Sequence, residues 1–267
     1  MKKIIAMLMA LMLVVSGIAL FTACDNTNTT EETTAATTEA ATEAEAKVLK
    51  MATNAYFQPY EFYQDGKIVG IDAEIAAAIA EKLGMELEIV DMEFDSIITA
   101  VKEGSVDFGM AGMTITETRL LEVDFSISYA NGVQAIIVKE GSAITSVDDL
   151  YAEGASYKVG VQLGTTGDIY ATDDFGSENV TTYANGNEAV LALLGGSVDC
   201  VIIDNEPAKA LVAANAGLTI LETAYANEDY AICVNKENAD LLAQINQAIM
   251  DLTADGTIDS IIAKYIK

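Results

Sequence analysis

The feature that most constrains this chain is a unit that occurs twice. IITAVKEGSVDFGMA (residues 97–111) and AVLALLGGSVDCVII (189–203) each run from an apolar helical pattern through Gly-Ser-Val-Asp into a strand-like stretch. Glycine directly after the last apolar-periodic residue stops a helix in the left-handed conformation. Two such units predict two similar α/β lobes, against the alternative of two coincident helix stops. The rest of the chain after residue 47 alternates in the same way. A strand is expected at Val48–Thr53. A helix over 73–83 follows, with Ile75, Ile79 and Leu83 on one face, Asp72 as N-cap and Gly84 as stop. A strand over 86–90, helices over 96–103 and 238–252, and a last helix over 257–266 complete the α/β pattern.

Composition removes whole classes of function. The 267 residues carry a net charge of −27, which opposes binding to phosphate backbones or docking on anionic headgroups. There is no histidine, so Ser-His and Cys-His nucleophilic catalysis and most zinc sites are excluded. The acidic residues show no EF-hand spacing, and no metal or cofactor is expected. Cys200 and Cys233 lie in apolar runs and read as buried thiols; the sequence leaves a bridge between them open.

Residues 1–23 combine Lys2 and Lys3 with a long apolar run, the organisation of an export signal. The run ends in Phe21, Thr22, Ala23 and Cys24, which resembles a bacterial lipobox with Cys24 as the lipidated residue. An uncleaved membrane anchor is the other reading. Residues 24–46 are mainly Thr, Glu, Ala and Asn, a composition that buries too little apolar surface to order itself and reads as a tether. The expected location is therefore extracytoplasmic, on a lipid anchor at the bacterial cell membrane.

In open α/β sheets, ligands gather at the carboxyl ends of strands. After the first repeated unit come Gly112, Met113 and Thr114, with Arg119 close behind; after the second comes Asp204. Gly164, Thr165 and Thr166 follow a third apolar strand at 157–161 and form a small-residue turn suited to anions. Arginine and amides would take a carboxylate, and Asp204 an ammonium. That combination suits an α-amino acid zwitterion. The blander readings are a surface ion pair for Arg119 and helix caps for Asp204 and the threonine turn.

The motifs GIDAE (70–74), MTITETRLLEVDFS (113–126), VGVQLGTTGD (159–168) and VIIDNEPA (201–208) together resemble those of the solute-binding family 3 proteins, over residues 48–267. The resemblance implies a two-lobed periplasmic-binding-protein-like fold of type II, with lobes joined by two hinge strands. Lobe 1 would comprise 47–131 and 231–267, and lobe 2 132–230, with crossings near 129–133 and 228–232. It implies a monomeric receptor, not an enzyme, that closes on a polar amino acid and delivers it to ABC permease subunits. An exported dehydratase or a sensory lipoprotein on the same scaffold are the competing classes. By motif position, Arg119 clamps the ligand carboxylate with help from Thr114 and from amides near Gly112, Met113, Thr165 and Thr166. Asp204 holds the ammonium, and Phe57 and Phe94 wall the side chain. Asn54 stands where receptors for basic and amide side chains often carry Asp, and Gln162 is a neutral reader. Both favour a neutral polar ligand such as glutamine or cystine.

Overall fold

The computed structural model describes residues 47–221 and 224–266. The export signal, Cys24 and the tether, all within residues 1–46, lie outside the described residues.

Two mixed sheets organise the chain. The first has the order Glu86–Asp91, Val48–Thr53, Phe108–Gly109, Cys233–Val234, Asp124–Phe125. Val48–Thr53 runs parallel to its two neighbours, and Cys233–Val234 runs antiparallel to both of its own. The second has the order Val180–Tyr183, Val159–Gln162, Cys200–Asp204, Ala130–Lys139, Leu218–Ile220, with Ala226–Tyr230 also paired to Ala130–Lys139. The chain enters the second sheet after Phe125 and returns after Tyr230, and the two crossing strands pair with each other, Asn131 against Asp229. A small hairpin sheet, Tyr56–Phe57, Glu61–Gln64 and Lys67–Val69, borders the first.

The repeated unit is repeated in its hydrogen bonds. Gly104 (φ 69°) and Gly196 (φ 78°) end their helices in the left-handed region, which glycine enters without steric penalty. The Ser105 amide reaches back to Ala100 O at 3.1 Å, and the Ser197 amide to Ala192 O at 2.9 Å. Val106 and Val198 turn into the core. Asp107 then accepts the amide of Lys50 at 2.7 Å, and Asp199 that of Lys158 at 2.7 Å. One tetrapeptide therefore stops a helix, buries an apolar plug and clamps the neighbouring strand in both sheets.

Helix Ile71–Leu83 buries Ile71, Ile75 and Ile79, spaced four apart on one face, each stabilising the fold by roughly 1.5–3 kcal/mol. It packs with the helices Ala239–Ala254 and Thr257–Tyr265. The expected N-cap at Asp72 is corrected: Gly70 occupies that position with φ 130°. Asp72 lies in the first turn, and its Oδ2 accepts from the Gly112 amide and the Tyr129 hydroxyl, both at 2.8 Å. A capping pattern in sequence does not distinguish an acid serving its own helix from one reaching a distant loop.

Cys200 and Cys233 are buried and free, one in each sheet. Burial raises each thiol to about 12, so neither is a reactive thiolate near neutral pH. Among the described residues no helix is long and apolar enough to cross a membrane, and no group of three or more His, Cys, Asp or Glu could hold a metal ion.

Candidate ligand-binding site

Four strands from the two sheets end at one cavity. Asn54 follows Val48–Thr53, Ala111 and Gly112 follow Phe108–Gly109, and Gln162 and Asp204 terminate their own strands. Ten of the eleven residues singled out from the sequence line it: Asn54, Phe57, Phe94, Gly112, Thr114, Arg119, Gln162, Thr165, Thr166 and Asp204. Met113 does not; it is fully buried in the cluster around Ile97, Val101 and Val123. Glu61 and Ala111 complete the lining.

Arg119 sits in the short helix Glu117–Glu122, capped by the Thr116 hydroxyl, which accepts the Arg119 amide at 3.2 Å. The residue is 6% exposed, and its guanidinium donates to Thr114 O at 2.7 Å and Gly164 O at 3.0 Å. It also lies 5.4 Å from the Phe94 ring centroid, a cation–π distance. Among the described residues Arg119 forms no salt bridge. Burial depresses its pKa, opposed first by the charge of Glu228.

Asp204 is likewise buried and forms no salt bridge among the described residues. It occupies the N-cap position of helix Asn205–Ala214 but makes no capping bond. Its oxygens instead accept from Tyr230 Oη and, at 2.7 Å, from Gln134 Nε2, which also donates to Glu228 at 2.9 Å. Burial first, then the Glu228 charge, raises Asp204 to about 7.

The other placements refine the expected roles. The Gly112 amide is committed to Asp72, so it is not free for an anion. Gly112 itself is required: its φ is 53°, and a Cβ there would stand 2.7 Å from Phe57 Cε1. Thr165 caps helix Thr166–Phe175, accepting the Asp168 amide at 3.3 Å, which puts a ten-residue helix N-terminus at the cavity. Asn54 and Gln162 bond to each other, Gln162 Nε2 donating to Asn54 Oδ1 at 2.9 Å, while Asn54 Nδ2 donates to Met92 O. This bond and that between Arg119 and Gly164 tie the two sides of the cavity together.

Glu61 was invisible to the sequence reading. In the hairpin strand Glu61–Gln64, period-two logic turns Phe62 inward and Glu61 outward; the structure does the reverse, with Glu61 fully buried and Phe62 half-buried. No residue-level signal marks the inversion. Burial, then the charge of Asp72, holds the Glu61 carboxyl well above the usual range, and burial raises Asp72 to about 6.

These raised carboxyls predict a pH dependence. At pH values between the unfolded 3.8 and about 6 for Asp72, or about 7 for Asp204, each aspartate keeps a proton in the native state that the unfolded chain gives up. Stability from this source is full below the unfolded value and is lost as pH rises through about 6 and about 7. Denaturant titration of the ligand-free protein should show unfolding free energy falling by at least about 1 kcal/mol between about pH 5 and about pH 7.5. A flat or rising profile would mean that these carboxyls are ionised in the native state.

The family model of bacterial extracellular solute-binding proteins, family 3, matches residues 49–267. The chain belongs to that family. Family 3 solute-binding proteins similar to it include the arginine-binding extracellular protein of Bacillus subtilis, 30% identical over 91% of each chain. The ABC transporter glutamine-binding protein of the same organism is 34% identical, over 76% of this chain and 74% of the relative. Among solved structures, an ancestral arginine-binding protein bound to glutamine superposes with a TM-score of 0.77 at 40% identity, covering 84% of this chain and 99% of its own. The two-lobed fold of the family 3 solute-binding proteins is thus the fold of this chain.

Proposed function

We propose that this protein is the extracytoplasmic receptor of an amino-acid ABC importer, closing its lobes over one α-amino acid and performing no chemistry on it. One observation carries the reading: a buried guanidinium and a buried carboxylate, neither neutralised by a salt bridge among the described residues, line the same cavity. An unpaired buried guanidinium is expensive; a zwitterion supplies its counterion through the carboxylate, while its ammonium draws the Asp204 carboxyl into the ionised form. Phe57 and Phe94 then flank the side chain.

Closure follows from the same geometry. The ligand favours the state in which both half-sites touch it, which is differential binding. The proposed lobes are 47–131 with 231–267, and 132–230. Export through the signal, lipidation at Cys24, attachment by the 24–46 tether and a monomeric state belong to the same reading and rest on sequence alone. So does the ligand class: the uncharged Asn54 and Gln162 favour a neutral polar amino acid, such as glutamine or cystine.

Calorimetric titration of the refolded, ligand-stripped protein from residue 48 onward, against the twenty amino acids and cystine, tests the proposal. One-to-one binding of a neutral polar member is expected. Silence across the panel would remove the receptor reading, and arginine or lysine binding a hundredfold tighter than any neutral member would remove the neutral preference.

A further inference from the structure

Asp204 lines the cavity as the last residue of its strand, yet its own helix does not hold its carboxyl: it occupies the N-cap position and makes no capping bond. Its oxygens are held instead by side chains of the two crossing strands, Gln134 from Ala130–Lys139 and Tyr230 from Ala226–Tyr230. Gln134 divides its amide between Asp204 and Glu228. Tyr230 has one hydroxyl hydrogen, and it goes to Asp204.

Tyr230 is itself anchored to the first sheet's side of the cavity. It is fully buried, its backbone bridges to Thr114, and the following amide, of Ala231, bonds Met113 O at 3.0 Å. Its ring meets that of Tyr60 edge-on, with centroids 5.1 Å apart. Gly132, on the paired crossing strand, gives the ring its place: a Cβ there would stand 2.2 Å from Tyr230 Oη and 2.3 Å from Cζ. Tyr230 thus links the segment that carries Thr114 to a carboxyl of the second sheet.

We propose that Tyr230 is a positioning residue for amine recognition: its hydroxyl holds the Asp204 carboxyl in the orientation that receives the ligand's ammonium, and Gly132 makes room for it. This rests on the amino-acid receptor reading and deepens it. A hydrogen bond donated to a carboxylate favours its ionised form, and a supporting bond removes the freedom of the group to turn away from its ligand. Losing the hydroxyl therefore weakens only ligands that carry an amine.

Tyr230→Phe keeps the ring and deletes one oxygen. The probes are glutamine and glutaramate, which is glutamine without its α-amino group; if glutamine is not bound, the tightest member of the amino-acid panel and its des-amino analogue replace them. Competition calorimetry should show Tyr230→Phe weakening the amino acid at least about fivefold and changing the analogue less than about twofold. Gly132→Ala, which crowds the hydroxyl off Asp204 without deleting it, should give the same selective loss. Where wild type does not bind the analogue, Asp204→Ala is the reference: in that background Tyr230→Phe should change amino-acid affinity less than about twofold. Equal losses for amino acid and analogue, or in both backgrounds, would make Tyr230 a structural part of the crossing and overturn the positioning role. An unmoved amino-acid affinity overturns it too, as does failure of both variants to fold in thermal melts. Each of these outcomes leaves the receptor reading intact, because wild type still binds. Wild-type silence toward the whole amino-acid panel overturns both.

Discussion

Replacing Arg119 with alanine is expected to weaken amino-acid binding by roughly 2–5 kcal/mol, a loss of about thirtyfold to several thousandfold. The size follows from burial. Arg119 is 6% exposed, and the hydrogen bonds of its guanidinium among the described residues run only to the carbonyls of Thr114 and Gly164. A ligand carboxylate bound beside it is removed from water and depends on it for charge compensation. Its bond to Gly164 also joins the two sides of the cavity, so truncation weakens closure as well as contact. Arg119→Lys should recover only part of the loss, because an ammonium lacks the planar fork that grips a carboxylate through two bonds. Calorimetry showing less than a threefold change for Arg119→Ala would take this residue out of the site.

Gly70→Ala should be the most damaging change of comparable size outside the site, destabilising the fold by about 3 kcal/mol or more. Gly70 has φ 130°, a region closed to side chains, and a Cβ there would stand 2.2 Å from Tyr60 O and 2.8 Å from Pro59 O. Both obstacles are backbone atoms, so no rotamer change relieves them. The same backbone carries the amides of Ile71 and Asp72, which bond Pro59 O and Tyr60 O at 3.0 and 2.9 Å, so displacement disturbs the start of the helix that holds Asp72. Gly84→Ala is the control. Gly84 is also left-handed (φ 66°), but nothing lies within 4 Å of its added Cβ, and its cost should be about 1 kcal/mol. Chemical denaturation of the two variants separates conformational strain from collision; equal losses would mean that the Gly70 loop gives way.

The contrast between these two glycines shows where sequence reasoning stops. In the sequence Gly84 reads as a helix stop and Gly70 only as part of the GIDAE motif, and only the fold brings Tyr60 O against Gly70. Asp72 makes the same point. Beside an apolar helix it reads as a cap, but it serves Gly112, forty residues later, and capping propensity carries no information about such a partner. Arg119, Asp204, Thr165 and Thr166 were legible because they follow or flank parallel strands, whose carboxyl ends share one direction. Met113 shares that segment, but its side chain turns into the core instead.

Local periodicity and helix-stop chemistry suffice to establish the α/β class and the repeated lobe unit, because the bonds involved are short-range: Gly196 and Ser197 close on Leu193 and Ala192 within a single turn. Charge and the missing histidine likewise exclude nucleic acid and histidine catalysis without reference to a fold. Tertiary structure alone decided which charges remain unpaired and which polar groups satisfy one another. Asn54 finds Gln162 across 108 residues, and Asp204 finds Gln134 across 70. Glu61 is driven inward against its own strand pattern to meet Asp72. Desolvation and hydrogen-bond partnership are properties of what surrounds a group in space, and that neighbourhood exists only once the chain has closed on itself.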